Sequence, residues 1–261
     1  MIQDRLSTTD YGLIGRPLGH SKSKAFFTEL FAGQSSDESY DNFELESLTP
    51  EALYRLVLLN PRLKGFNVTA PYKVEIMAYL DSLSPEAERV GAVNTVKIVR
   101  SDDGRVLALK GYNTDVEGFR RSVGPMVSKL KPGQGALILG TGGASKAVAE
   151  ALRQLGVTTT KVSRSKTSAD TVSYADITAD LVADNPLLVN TTPLGTWPDT
   201  ASAPPFPYEL LSEAAMAHDI VYNPSETEFM RRCAARCAEV KNGLEMLHNQ
   251  ALASLNIWRN Q

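Results

Sequence analysis

A short apolar run followed directly by a glycine cluster constrains the fold more than any other feature of the sequence. Residues 136–139 are all apolar, Gly140-Thr141-Gly142-Gly143-Ala144-Ser145 follow them, and a helical pattern continues over residues 146–155. A run that is apolar at every position is typical of a strand buried on both faces of a parallel sheet. The pattern therefore predicts a strand, a tight glycine loop and a helix in succession, which is the repeating unit of parallel α/β domains.

The rest of the second half continues this alternation. Short apolar or β-branched runs at residues 158–162, 186–189 and 218–221 are separated by helical patterns. Strands that alternate with helices predict a parallel sheet with helices on its faces. An amphipathic helix is predicted at residues 243–259, and the pattern alone does not assign it to a domain.

The first half also alternates between strand and helix patterns. At roughly 100–200 residues per domain, the 261 residues of the chain fit two α/β domains. Asp102-Asp103-Gly104 predicts a hairpin turn between two strands. We predict strands at residues 11–15, 40–45, 63–70, 90–100 and 105–110, and helices at residues 21–32, from Thr49 onward, and at residues 72–80.

Composition excludes several classes of protein. Hydrophobic residues make up 43% of the chain and charged residues 22%, as in ordinary globular proteins, so disorder is excluded. The 27 Lys and Arg face 30 Asp and Glu, which leaves no broad basic surface for a nucleic acid. No stretch approaches the roughly 20 apolar residues of a membrane span, and no secretory signal pattern is present. We therefore expect no nucleic-acid or membrane partner and a cytoplasmic location.

The chain has two cysteines, Cys233 and Cys237, which are too few for a disulfide framework. Their spacing would place them on one face of a helix, where a metal pair is an alternative to two free thiols. Because no further Cys or His stands nearby, we predict free thiols in a reducing compartment and no metal site.

The glycine loop has the composition of a dinucleotide site. Gly140 and Gly142 permit a tight turn and let backbone N–H groups approach a pyrophosphate, which the positive end of the following helix also attracts. Ser145 replaces the third glycine of the usual pattern. Thr141, Gly143 and Ala144 complete the predicted phosphate loop, and a turn that binds nothing is the alternative.

The end of the next strand indicates which dinucleotide is bound. An NAD site has Asp or Glu about 20 residues after the glycines, where the carboxylate accepts from the ribose 2′-hydroxyl. Here the sequence is Ser163-Arg164-Ser165-Lys166, which offers a guanidinium and hydroxyls to a 2′-phosphate and no carboxylate to repel it. NADP is therefore favoured over NAD, unless these are only solvated loop charges.

Polar side chains also follow the predicted strands of the first half. In open α/β sheets, ligands bind beyond the strand ends. Each of these residues alone has a local structural role as an alternative, such as a helix cap or a turn residue. Together they fit a small, polyhydroxylated and anionic substrate. They are Ser21, Ser23, Asn67, Thr69, Lys73, Asn94, Thr95, Asn113, Thr114 and Asp115.

Taken together, these residues and the motifs around them resemble those of the shikimate dehydrogenase family. The likeness runs in order from about residue 11 to residue 255, and the order and spacing of the motifs are more specific than any one of them. Besides the glycine loop, it rests on His20-Ser21-Lys22-Ser23, Asn67-Val68-Thr69-Ala70-Pro71-Tyr72-Lys73, Gly91-Ala92-Val93-Asn94-Thr95, Asn113-Thr114-Asp115, Asn190-Thr191-Thr192-Pro193-Leu194-Gly195, Tyr222-Asn223-Pro224, and Gly243-Leu244-Glu245-Met246-Leu247 leading to Gln250.

The resemblance implies an NADP-dependent, reversible reduction of 3-dehydroshikimate to shikimate. It implies that residues 1–114 and 243–261 form a substrate domain, to which the last helix returns, and that residues 115–242 form a Rossmann-like NADP domain. It assigns proton transfer to Lys73, paired with Asp115. It assigns binding of the substrate carboxylate to Ser21, Ser23 and Tyr222. Binding of the ring hydroxyls is assigned to Asn67, Thr69, Asn94, Asp115 and Gln250. Binding of the cofactor is assigned to the glycine loop and to Thr191, Thr192, Ile220 and Gly243.

Three positions depart from the family pattern. Lys24 stands where proline is usual, Ser163 replaces a common asparagine, and Thr196-Trp197 stands where methionine is frequent. None of these changes removes a reacting group.

Two alternatives remain beside the leading hypothesis. A quinate/shikimate dehydrogenase that prefers NAD would carry an acidic residue near residues 163–166, and none is there. A ligand sensor without turnover would lack Lys73 or Asp115, and both are present. We expect a monomer or a homodimer.

Overall fold

The computed structural model describes residues 9–19, 21–165, 171–236 and 238–260. The chain forms two compact units, unit 1 (Met1–Thr114 with Ala251–Gln261) and unit 2 (Asp115–Gln250). The second division between the units falls inside the last helix of the chain, at residues 250–251, and not at residue 243.

Unit 1 contains a mixed six-stranded sheet. Its strands are β1 (Tyr11–Gly15), β2 (Tyr40–Glu44), β3 (Gly65–Val68), β4 (Ser82–Leu83), β5 (Thr95–Arg100) and β6 (Val106–Tyr112), in the order β2-β1-β3-β5-β6-β4. β1 pairs in parallel with β2 and β3, whereas β5 runs antiparallel to both β3 and β6. The carboxyl ends of β1 and β3 are therefore neighbours, and the predicted polar residues follow both strands.

The helices of unit 1 begin with recognisable capping residues. Thr49 accepts a hydrogen bond from the Ala52 N–H at 3.1 Å, and Pro50 occupies the first helical position, where its missing N–H costs nothing. Ser84 and Pro85 repeat this arrangement in the third helix. The helices are α1 (Ser23–Gly33), α2 (Pro50–Leu59) and α3 (Pro85–Val90), with a 3₁₀ helix at Glu75–Tyr79.

One face of this sheet packs against aromatic side chains from both ends of the chain. The ring of Trp258 stacks on Tyr11 with centroids 4.8 Å apart, and its indole N–H donates to the Val96 carbonyl at 2.9 Å. Only glycine fits at position 65, because a Cβ there would collide with the Trp258 ring. Residues 251–260 thus belong to unit 1, and Ala251, Leu255 and Trp258 contribute to its core.

The hairpin predicted at residues 102–104 is present, with Gly104 at a φ of +83° between β5 and β6. Two other expectations for unit 1 are wrong in detail. The predicted helix at residues 72–80 is a short 3₁₀ helix, and the strand expected from residue 90 begins only at Thr95. Gly91, at a φ of +66°, ends α3 and turns the chain before the strand can start.

Unit 2 contains an entirely parallel six-stranded sheet of the Rossmann-like kind. Its strands are β7 (Ala136–Leu139), β8 (Thr159–Ser163), β9 (Thr171–Ser173), β10 (Leu187–Asn190), β11 (Met216–Asp219) and β12 (Glu239–Lys241), in the order β12-β11-β10-β7-β8-β9. The chain leaves β7 toward β8 and β9 and later returns to the other side of β7 with β10. The crevice where this direction reverses is the usual ligand position of such sheets.

The helices of unit 2 are α4 (Thr114–Val127), α5 (Gly143–Gln154), α6 (Ala179–Asp184) and α7 (Glu228–Ala234), with 3₁₀ helices at Tyr174–Asp176 and Tyr208–Leu210. The last helix, α8 (Leu244–Arg259), begins in unit 2 and ends in unit 1. In the part of the chain that the structure describes, none of the helices is both long enough and apolar enough to span a membrane.

Candidate active site

The glycine loop lies at the carboxyl end of β7. Gly140 has a φ of +109°, and a Cβ there would stand 2.8 Å from the Thr191 hydroxyl oxygen, so the position requires glycine. Its N–H donates to the Val162 carbonyl at 2.8 Å, which fixes the loop to β8. Gly142 then caps α5 at its amino end.

The following residues leave room for a ligand. A Cβ on Gly142 or Gly143 would meet no protein atom within 4 Å, so packing within the protein does not require glycine at either position. Ser145, which replaces the third glycine, is fully buried and donates to the Gly142 carbonyl at 2.6 Å. The first turn of α5, including Gly143 and Ala144, therefore presents backbone N–H groups beside open space, as a pyrophosphate site requires.

A pocket of about 440 Å³ opens in front of this loop. Its walls come from the carboxyl ends of three neighbouring strands, β7, β8 and β10, at the crevice where the strand order reverses. Gly140, Thr141 and Gly142 line one side, Ser163 and Arg164 a second, and Thr191 to Leu194 a third. The three groups of predicted cofactor residues that line it thus meet in one cavity.

The turn after β8 carries the residues predicted to recognise a 2′-phosphate. Arg164 is exposed at the pocket wall. The Ser163 hydroxyl donates to the Ser165 carbonyl and accepts from the Ser165 N–H at 3.3 Å. Its hydrogen atom is therefore used to stabilise the turn itself. Lys166 lies outside the described residues.

Two further predicted cofactor residues touch each other elsewhere in unit 2. The Gly243 N–H donates to the Val221 carbonyl at 3.0 Å, and a Cβ on Gly243 would collide with the backbone of Ile220. Only glycine lets the segment before α8 approach the end of β11 this closely. Ile220 and Gly243 lie outside the lining of the 440 Å³ pocket.

The remaining predicted residues of unit 2 lie on helices or in a turn. Asp115 is half-buried in the first turn of α4. Gly118, three residues later, allows α4 to pack closely on α8, because a Cβ there would stand 2.8 Å from the Gln250 Cβ. Tyr222 is half-buried, and burial raises its pKa.

In unit 1, the two predicted serines stand at the start of α1. The Ser21 hydroxyl oxygen accepts from the Ser23 N–H at 3.3 Å, and both side chains are half-buried. Lys24, the departure from the family pattern, forms an ion pair with Asp41 at 2.7 Å on the exposed side of the helix. His20 lies outside the described residues.

Asn67 and Asn94 are part of a buried polar cluster. The Asn67 amide group donates to Thr95 Oγ1 at 3.1 Å and Ser254 Oγ at 3.0 Å, while Asn94 Oδ1 accepts from the Thr114 N–H at 2.7 Å. These contacts fix the orientation of both amides. Asn67 and Asn94 are only 6% and 3% exposed, so little of either side chain reaches solvent.

Tyr40 is a site candidate that the sequence analysis missed. Its hydroxyl donates to Asn67 Oδ1 at 2.9 Å and is also hydrogen-bonded to the side chain of Ser23. The residue thus links two positions that the family resemblance assigns to the substrate. The alternating pattern of residues 40–45 predicted a strand, and in that pattern Tyr40 was indistinguishable from an ordinary core residue.

Thr69 and Lys73 follow β3. The Thr69 N–H donates to the Ile14 carbonyl at 2.9 Å, which ties it to the end of β1. Lys73 is half-buried, and its carbonyl accepts from the Val93 N–H at 2.7 Å. The segment that carries Lys73 is thereby attached to the motif that contains Asn94.

Comparison with known proteins decides the family. Residues 13–96 match the model of the shikimate dehydrogenase substrate binding domain. The NADP(+) shikimate dehydrogenase of Shouchella clausii is 34% identical over 265 residues, which cover 96% of this chain and 93% of that protein. The chain belongs to the shikimate dehydrogenase family.

Solved structures of the shikimate dehydrogenase family agree with this membership. Shikimate 5-dehydrogenase from Thermus thermophilus, in complex with NADP(H) and shikimate, is 34% identical with a TM-score of 0.78 and covers 96% of this chain and 93% of that one. Quinate dehydrogenase from Corynebacterium glutamicum, in complex with NAD, is 27% identical with a TM-score of 0.84 and covers 97% of this chain and 94% of that one.

Cys233 is a free, buried thiol on α7, and burial raises its pKa to about 12, so it is not a reactive thiolate. Cys237 lies outside the described residues. Among the residues that are described, no three His, Cys, Asp or Glu side chains form a group that could hold a metal ion.

Proposed function

We propose that the protein catalyses the reversible, NADP-dependent reduction of 3-dehydroshikimate to shikimate. The observation that carries the proposal is the pocket at the end of β7, β8 and β10, where a glycine loop and Arg164 line the same cavity and where residues 163–165, the described part of the turn after β8, include no carboxylate. Family membership supplies the substrate class. We further propose that the protein acts in the cytoplasm as a monomer or homodimer.

The cofactor's chemistry is hydride transfer, and the protein's part is to bind and orient it. The N–H groups of Thr141 to Ala144 at the start of α5 would hold the pyrophosphate, while Gly140, whose N–H bonds the Val162 carbonyl, forms the turn before them. Arg164, with Ser163 and Ser165 shaping its turn and Lys166 beside it in sequence, would hold the 2′-phosphate. Ile220 and Gly243 would flank the nicotinamide end, and Thr191 and Thr192 would form the loop beside the cofactor.

We assign the substrate to polar residues that the fold already orients. Ser21 and Ser23, with Tyr222, would bind the carboxylate, because hydroxyl groups donate to it without the cost of burying a second charge. Thr69 and Gln250, together with Asn67 and Asn94 of the buried cluster, would bind ring hydroxyls.

Lys73 would move the proton. When the carbonyl carbon of 3-dehydroshikimate accepts hydride, its oxygen becomes an alkoxide that takes one proton, and in oxidation the hydroxyl returns that proton. Lys73 can give and accept this proton at the oxygen atom, and Asp115 would orient it. A lysine held charged would instead stabilise the developing negative charge by donating a hydrogen bond.

Initial rates with shikimate and with quinate, each paired with NADP and NAD, test the proposal. We expect turnover confined to shikimate with NADP. Equal rates with NAD would refute the role of Arg164 and leave the substrate assignment intact. Preference for quinate with NAD would favour the activity named for the Corynebacterium enzyme, and no turnover in a protein that binds NADP would favour a sensor.

The role of Lys73 is tested by Lys73→Ala, with Lys110→Ala as the control. Lys110 is an exposed lysine of β6 in the same unit. We expect Lys73→Ala to lower kcat at least 100-fold, because positioned proton transfer contributes roughly 10²–10⁴-fold, while the Kd for NADP stays unchanged. Retained turnover in Lys73→Ala would refute the assignment.

A further inference from the structure

Asp219 is a buried carboxylate that the proposed reaction leaves without a role. It is the last residue of β11 and is 0% exposed. It accepts three hydrogen bonds, from Asn190 Nδ2 at 3.0 Å, the Val221 N–H at 3.0 Å and Thr227 Oγ1 at 2.6 Å. Because all three partners donate, the ionised carboxylate is the form that this environment fits.

Asn190 extends this network to the cofactor pocket. It stands opposite Asp219 at the end of β10, so the last residues of two parallel strands meet side by side. Asn190 Oδ1 accepts from the Thr192 N–H at 3.0 Å and from Thr192 Oγ1 at 2.7 Å. Thr192 Oγ1 in turn accepts from the Leu194 N–H at 3.3 Å, and Thr192 and Leu194 both line the pocket.

The same carboxylate holds the turn after β11. Its bond to the Val221 N–H fixes the peptide that follows Ile220, and the Val221 carbonyl accepts from Gly243. Thr227 connects this carboxylate to two further segments. Its hydroxyl caps α7 by accepting from the Met230 N–H at 3.2 Å, and its side chain packs close to Gly195, where an added Cβ would stand 3.3 Å from the Thr227 Cβ.

We propose that Asp219 is a positioning residue for the cofactor: through Asn190 and Val221 it sets the loop at residues 191–195 and the turn at residues 220–222 in the arrangement that binds NADP. The proposal rests on the proposed function for the identity of the cofactor. Asp219 is not one of the residues that line the pocket, so it acts only through the backbone and side chains that it holds.

This arrangement has a pH limit. Burial raises the pKa of Asp219 to about 6, although the hydrogen bonds from Thr227, Val221 and Asn190 lower it. Protonation would remove the negative charge that strengthens the hydrogen bonds from Asn190, Val221 and Thr227. The network therefore weakens, and the two segments loosen, as the pH falls through about 6.

Three titratable groups near Asp219 keep their protonation state in that range. Burial, together with the positive charge of Lys241, lowers the pKa of His218 to about 3, so its imidazole is already neutral. Burial raises the pKa of the Cys233 thiol to about 12 and also raises that of Tyr208, so both remain protonated. Among these neighbours, only Asp219 titrates near pH 6.

The test is Asp219→Asn, with Asp184→Asn, an exposed carboxylate at the end of α6, as the control. The amide keeps the shape of Asp219 but carries no charge, so the hydrogen bonds from Asn190 and the Val221 N–H lose their charge assistance. We expect the Kd for NADP to rise about tenfold, the difference that one charge-assisted hydrogen bond makes. Amide hydrogen exchange in residues 191–195 and 220–222 should increase, and the cofactor affinity should lose its decline below pH 6.

A second pair of variants covers the case in which Asp219→Asn does not fold. Thr227→Val removes one donor to the carboxylate together with the cap of α7, and Thr227→Ser retains both. We expect the first to weaken NADP binding and the second to restore it. Unchanged NADP affinity and unchanged exchange in folded Asp219→Asn or Thr227→Val would overturn the proposal. Hydrogen exchange needs no substrate, so this result stands apart from any failure of the protein to oxidise shikimate.

Discussion

Replacing Arg164 by alanine should change which dinucleotide the protein prefers without abolishing cofactor binding. The glycine loop and the start of α5 supply the pyrophosphate contacts, and the variant leaves them intact. What the variant removes is the guanidinium at the wall formed by the end of β8, where we expect it to bind the 2′-phosphate that NAD lacks. The loss should therefore fall on NADP and spare NAD.

The size of the effect follows from the exposure of Arg164. A hydrogen bond to a charged group contributes about 1.5–3 kcal/mol. Because Arg164 is exposed, solvent and salt screen the interaction, so the lower part of that range applies. A loss of about 2 kcal/mol corresponds to a Kd for NADP about 30-fold higher at low ionic strength. Raising the salt concentration should shrink this difference.

Titration of both dinucleotides against wild type, Arg164→Ala and Arg153→Ala measures the effect. Arg153 lies in the same unit and pairs with Glu150 at 2.8 Å on α5, so its loss controls for a general change of charge. The argument fails if Arg164→Ala binds NADP as wild type does, or if NAD affinity falls by the same factor. The first result would mean that Arg164 is only a solvated charge.

Two further variants test the buried polar cluster of unit 1. Tyr40→Phe keeps the ring stacked on Phe27, with 4.4 Å between the ring centroids, but removes the hydroxyl that donates to Asn67 Oδ1. Steady-state kinetics should show a higher KM for shikimate and an unchanged KM for NADP. An unchanged KM for shikimate would exclude a link between Tyr40 and the substrate. Ser254→Ala removes hydrogen bonds to Asn67 and Thr95 and should cost about 1–2 kcal/mol. Calorimetry should then show a lower Tm for unit 1 at unchanged NADP affinity, and a wild-type Tm would refute the contribution of the cluster.

Sequence patterns predicted the central elements of both units. The apolar run at residues 136–139 is β7, the glycine loop opens α5, and the hairpin at residues 102–104 is present. These elements are encoded locally, by full burial of a strand or by a turn residue that requires glycine. The patterns did not predict the short strands β4, β9 and β12, which have only two or three residues each and depend on a neighbour for their pairing.

Part of the candidate site also follows from sequence. Gly140, Arg164 and Thr191 were predicted from separate motifs, and the structure brings them to one pocket. Tyr40 and Asp219 were not predicted. Both lie at positions where a strand pattern explains the residue, and their contacts become visible only when neighbouring strands are in register. The roles of the predicted residues stay predictions.

The crevice between β7 and β10 has a consequence for redesign. Its location follows from the order in which the chain visits the strands, which no single substitution alters. The choice between two nucleotides, by contrast, would reside in the few residues that follow β8. Exchanging residues 163–165 for a turn that ends in an acidic side chain should therefore convert the preference from NADP to NAD while the sheet and the phosphate loop stay as they are. Lineages descended from one such scaffold could switch between reducing and oxidising nucleotide pools through changes confined to that turn.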